Sequence, residues 1–162
     1  MGLDHFITLV DIRHKTVNKV FEVYKWLYKD NKEEYVFLDW LHKQLLHHLK
    51  KAGETQNNIS VHITPAVTEW FKHYEPDILR EYMFDLLSTI MLFEPKFSVI
   101  IFKFNDGDKE TIYYFFKGFY VDENGKVYQV NKKKLLKRIY EFKIKRYEEK
   151  LNRLKEKYKK LK

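Results

Sequence analysis

The period of the apolar positions changes several times along the chain, and each change marks an element. His5 to Ile12 alternates, with Phe6, Thr8 and Val10 set against Ile7 and Leu9, which predicts a first strand. From Thr16 to Tyr28 the spacing turns helical through Val17, Val20, Phe21, Tyr24, Leu27 and Tyr28. Asp30 with Glu33 three residues on has the form of a capping box and opens a second helix to Ala52. Phe37, Leu38, Leu41, Leu45 and Leu49 form its inward stripe, and Gly53 stands where a helix C-terminus favours glycine. Glu54 to Asn58 is polar and reads as a loop, after which Ile59, Val61 and Ile63 alternate as a short strand.

Thr64-Pro65 is a helix start, since Thr caps and Pro is preset for the first turn. That helix is expected to reach Tyr74, with Pro76 restarting a further helix to Phe93 before Pro95 ends it. Ile78, Leu79, Tyr82, Met83, Leu86, Leu87 and Ile90 form the inner stripe of this second segment. The period then becomes strand-like. Phe97–Phe104 and Glu110–Phe116 flank the turn Asn105-Asp106-Gly107-Asp108, and Phe119–Val121 and Val127–Val130 flank Asp122-Glu123-Asn124-Gly125, giving two hairpins. The last 31 residues form one helix about 45 Å long at 1.5 Å per residue. On it Tyr140, Ile144, Tyr147, Leu151, Leu154, Tyr158 and Leu161 recur at intervals of 4-3-4-3-4-3, a heptad seam. The expected fold class is α+β: an antiparallel sheet of two C-terminal-half hairpins and two short strands, packed with about four helices and followed by the long helix. The expected division is a globular domain over 1–131 and a heptad-patterned helix over 132–162, packed on the body or dimerising.

Charge changes this picture. The 162 residues carry a formal net charge of +8. Residues 132–162 hold 15 Lys and Arg against 4 Glu, so the last helix is +11 and the body −3. Such asymmetry points to a basic arm for an anionic partner. Lys132, Lys133, Lys134, Lys137, Arg138, Lys145, Arg146 and Arg153 are the candidate phosphate contacts. Cations at 132–134 oppose the helix dipole, which an anionic partner would offset. The competing reading is a solvated helix whose seam packs on the body or on a second copy.

Composition narrows the remaining chemistry. There is no cysteine, hence no disulfide scaffold, thiolate metal site or cysteine nucleophile. The longest apolar run, Ile112 to Phe116, is far short of the roughly 20 residues a membrane span needs, and no basic-then-apolar leader opens the chain. A cytoplasmic protein with no membrane partner is expected, in the host cytoplasm if the source is a virus. Small size and Lys, Tyr and Phe richness would suit an accessory protein of a virus or other mobile element.

Catalytic candidates are sparse. Asp77, Glu81 and Asp85 lie at i, i+4 and i+8, a row of hard oxygen ligands of the kind a metal-dependent nuclease uses, and equally the solvated face of an amphipathic helix. His62-Ile63-Thr64 resembles half of the His-x-Thr pair used by two-histidine phosphoesterases, and no second copy exists. Lys117-Gly118-Phe119 begins like the signature of RNA-recognition motifs, but Tyr120 and Val121 break it; the aromatic strand Tyr113 to Phe116 is expected to be core on both faces. No metal site and no cofactor are expected. The leading functional expectation is a non-enzymatic protein that binds DNA or RNA without sequence preference through its last helix, with a homodimer on the seam. The alternatives are a protein-interaction module or inhibitor of a host or partner factor, and a divalent-metal nuclease; an acidic protein is a further expected partner for the basic helix.

Overall fold

In a computed structural model of the chain, β1 (His5–Val10) lies inside a six-stranded antiparallel sheet of order β2-β1-β3-β4-β5-β6. The other strands are β2 (Asn58–Ile63), β3 (Val99–Asn105), β4 (Glu110–Phe116), β5 (Phe119–Asp122) and β6 (Val127–Gln129). The helices are α1 (His14–Leu27), α2 (Lys32–Ala52), α3 (Pro76–Leu92) and α4 (Lys132–Lys160). The structure describes residues 4–52, 58–64 and 76–162, and of Pro76, Asp77 and Ile78 the backbone alone. The expected helix from Pro65 to Tyr74 and the glycine stop at Gly53 lie outside the described residues. The fold is α+β, as the alternation of periods requires.

Register explains which side chains meet. Ile7 stands between Val61 and Phe102, and Leu9 between Ile59 and Ile100, so one face of the sheet is continuously apolar. Phe102 and Ile100 continue it to Tyr113 and Phe115 on β4. The inner stripes of α1, α2 and α3 close over this face, with Phe21, Leu41, Leu45, Met83 and Leu87 fully buried. Phe84 of α3 packs edge-on against Tyr113 and Phe115 at 4.7 and 5.4 Å between ring centres.

Several local expectations are corrected. β1 stops at Val10 rather than running to Ile12, because Asp11 takes a left-handed conformation (φ +56°) and its carbonyl accepts the Ser98 hydroxyl. Asn31, not Asp30, caps α2: its Oδ1 accepts the Glu34 N–H at 3.2 Å, one residue later than the capping box implied. The aromatic strand is core on one face only. Tyr114 and Phe116 are half-buried on the face opposite the described helices, where Phe116 stacks on Phe119 at 5.1 Å. α4 packs on the body at its start. The first three turns of α4 bury Leu135, Ile139 and Phe142 in the body.

Candidate nucleic-acid interface

α4 begins at a side-chain cap, Asn131 Oδ1 accepting the Lys134 N–H at 3.2 Å, which satisfies one of the orphan donors of the first turn. Leu135, Ile139 and Phe142 then dock the helix on the body; Ile139 and Phe142 form a small core with Val23, Trp26 and Phe93. Two polar latches flank this contact. Arg138 donates to Asp85 Oδ2 at 2.9 Å and to the Tyr24 hydroxyl, and Tyr24 bonds Thr89 at 2.8 Å, so α1, α3 and α4 share one network. Further along, Arg146 pairs with Glu22 of α1 and lies over the Phe142 ring. Arg138 and Arg146, expected as phosphate contacts, are therefore held by the body.

Beyond this base the helix leaves the protein. Every residue from Ile144 to Lys162 is exposed. The seam is open along its length: Tyr140 is 59% exposed, Leu151 51% and Leu154 62%. At about 100° per residue the docking stripe and the seam lie on nearly opposite sides of the helix, so the body cannot cover both. The lysines beside the seam cover part of it with their stems. Lys143 stands over the Tyr140 ring at 5.8 Å and Lys150 over Tyr147 at the same distance.

Among the expected contacts, Lys133, Lys134, Lys137 and Arg153 are exposed. Lys145 is exposed too and loosely paired with Glu148 at 3.9 Å. Lys132 reaches over the β4–β5 turn at Gly118 (φ +90°), where an added Cβ would lie 2.6 Å from its Cε. One part of the basic surface comes from the body and has no sequence signal. Lys19, partly buried over the Phe93 ring, is crowded by Lys143 and Lys15; burial first and these neighbouring cations next hold its ammonium below the usual lysine range. A cluster of like charges at the root of the arm results.

Among the described residues the catalytic candidates do not share one site: Glu81 and Asp85 lie on one side of the fold and His62 on another. Glu81 and Asp85 border a cleft of about 500 Å³ between α3, β5 and the start of α4, lined also by Tyr28, Tyr82 and Tyr120. Asp85 is spent on Arg138. The Asp77 side chain lies outside the described residues. His62 sits on edge strand β2, on the face away from the helices, stacked on Phe6 and bonded to Asp4. Among the described residues no group of three His, Asp or Glu side chains could hold a metal ion, and no helix is long and apolar enough to cross a membrane. The chain matches no family model, no curated protein and no solved structure.

Proposed function

We propose that this protein binds nucleic acid without sequence preference, and that the projecting part of α4 is the contact element. One observation carries the reading: from Ile144 onward the helix is wholly exposed and holds nine Lys and Arg against three Glu, while residues 1–131 are net negative. A rod of this kind meets phosphates with cations and offers no constellation of groups for reading base edges. The Lys15, Lys19 and Lys143 cluster extends the same surface onto α1. The nuclease alternative gains nothing from geometry that leaves His62 on the far face and pairs Asp85 with arginine.

The test is a salt titration of binding to single- and double-stranded DNA and RNA. If about five phosphates are neutralised, log K falls with log salt at a slope near −4.5 on duplex DNA. Lys150→Glu with Arg153→Glu and Lys157→Glu should reduce affinity at least tenfold for every sequence alike and flatten that slope by about 3. Binding that ignores both salt and these substitutions would remove the reading.

A further inference from the structure

The seam of α4 is an apolar stripe that its own protein leaves open, and its residue order identifies what covers it. With Ile144, Leu151 and Tyr158 at heptad positions a, and Tyr147, Leu154 and Leu161 at d, the seam reads Ile, Tyr, Leu, Leu, Tyr, Leu from residue 144 onward. Read backward it is Leu, Tyr, Leu, Leu, Tyr, Ile. Apart from its two end residues, which are both aliphatic, it is a palindrome.

A palindromic seam is self-complementary under a two-fold axis perpendicular to the helix. Two antiparallel copies centred between Asn152 and Arg153 would place Ile144 against Leu161 of the second copy, Tyr147 against Tyr158, and Leu151 against Leu154, each layer then repeating in reverse. The overlap in this register, 144 to 161, begins at the residue where the helix becomes exposed. The two bodies then stand at opposite ends of a rod about 26 Å long, clear of one another.

The flanking charges choose between orientations. In the antiparallel register the e positions bring Glu148 to Lys155 and Glu141 to Lys162 of the other copy, which by symmetry makes four attractive pairs. The g positions bring Lys150 to Lys157, two repulsive pairs. A parallel pair would oppose Lys150 to Lys155 and Lys157 to Lys162, four repulsive pairs, against two attractive pairs of Lys143 with Glu148. A lipid surface fits less well, because an apolar stripe of two positions per heptad is narrower than the face of an interfacial helix.

We propose that α4 forms an antiparallel two-helix coiled coil with a second copy of this chain, and that its all-lysine flank is where a nucleic-acid backbone lies. Lys143, Lys150 and Lys157 from both copies line that flank as six cations, continued at each end by Lys15 and Lys19 of the body. The pairing stands on the seam alone; the ligand assigned to the flank rests on the function proposed above. The remaining repulsion between Lys150 and Lys157 then has a role, since a polyanion there relieves it and so tightens the dimer.

The absence of cysteine makes orientation directly measurable. Full-length Ile144→Cys and Leu161→Cys proteins, treated singly and as a mixture with an oxidant or a short bismaleimide, should cross-link only in the mixture. In the antiparallel pair residue 144 is about 26 Å from its own copy, and 161 likewise. The unsubstituted chain should show by light scattering twice its 20.0 kDa mass, with duplex DNA shifting the equilibrium further toward dimer. Lys150→Glu should tighten the dimer several-fold and weaken duplex binding at least tenfold. Cross-linking of 144 to 144, or of 161 to 161, would overturn the orientation. A 20.0 kDa species at all concentrations would overturn the pairing, whether or not an acidic amphipathic peptide or an anionic vesicle then binds the seam. A dimer of the expected orientation that fails to bind DNA or RNA would instead overturn the functional reading and the ligand of the flank.

Discussion

Glu94 shows how much of this protein is decided by single side chains that no local pattern marks. Its carboxylate is completely buried and accepts both the backbone N–H of Arg13, at 3.2 Å, and the Arg13 Nε at 3.1 Å. Arg13 also donates to the Phe93 carbonyl. The start of α1, which has no side-chain cap of its own, is thus tied to the end of α3. Arg13 is half exposed, so the pair contributes less than a fully buried one, but removing the carboxylate strands a backbone donor. Glu94→Ala should lower stability by about 1–3 kcal/mol, read as a drop in the urea midpoint. Glu94→Gln should recover part of that loss, because its amide oxygen can still accept the Arg13 N–H. In the sequence the stop at Pro95 is legible and the role of Glu94 is not. Its partner is 81 residues away, and a glutamate before a proline looks like ordinary surface. The same holds for Asp85, which belongs to a regular acidic stripe in the sequence and to an arginine latch in the fold.

At the scale of the element, α4 carries two apolar stripes with nearly the same spacing. Leu135, Ile139 and Phe142 repeat at the interval of Tyr140, Ile144 and Tyr147, and spacing alone does not say which stripe meets the body. Val23, Trp26 and Phe93 decide it, and they come from α1 and from the residue that follows α3. Element type and order were legible because they depend on local period and punctuation: the strand alternation of β2, the Asp-rich turns, the seam itself. The docking face was not, since it depends on a surface assembled from α1 and α3. The two stripes should respond differently to the same chemical change. Ile139→Lys buries a charge at a site 2% exposed and should cost several kcal/mol, about 3–5, or prevent folding. Leu151→Lys with Leu154→Lys alters two exposed positions and should change the stability of the body by about 0.5 kcal/mol or less. Circular dichroism and urea titration at low protein concentration separate the outcomes. Loss of the body's cooperative unfolding in the double variant would mean that the seam packs internally.

Among the described residues, two histidines kept neutral give the whole molecule a pH dependence. His5 is buried on β1, stacked on Phe104 at 4.7 Å, and its Nδ1 accepts the Asn105 N–H at 3.1 Å. Burial is the main cause that holds its imidazole down at about 4, with His62 adding to the effect and Asp4 opposing it. His42, stacked on Phe21 and bonded through Nε2 to Asn18, is likewise lowered to about 4, first by burial and then by Lys25. In the unfolded chain both titrate near 6.5, so between pH 6.5 and 4 the unfolded state holds more protons than the folded one. Stability is therefore complete above about 6.5, falls as pH drops toward 4, and is no longer sensitive to these groups below that. For His5 the loss is at most about 3 kcal/mol; half-buried His42 adds to it in the same direction. Asp39 is held below the usual carboxylate range by its bonds to Lys25 and Lys43, so its contribution disappears only at still lower pH and leaves the histidine window distinct. Urea midpoints measured from pH 7.5 to 4.5 should fall steadily for the unsubstituted chain. His5→Phe keeps a ring against Phe104 and removes the titration, so its stability should start lower by about 1 kcal/mol for the lost acceptor and its midpoint should then decline less steeply. An equal slope in both proteins would mean that the His5 imidazole is not held neutral by its burial.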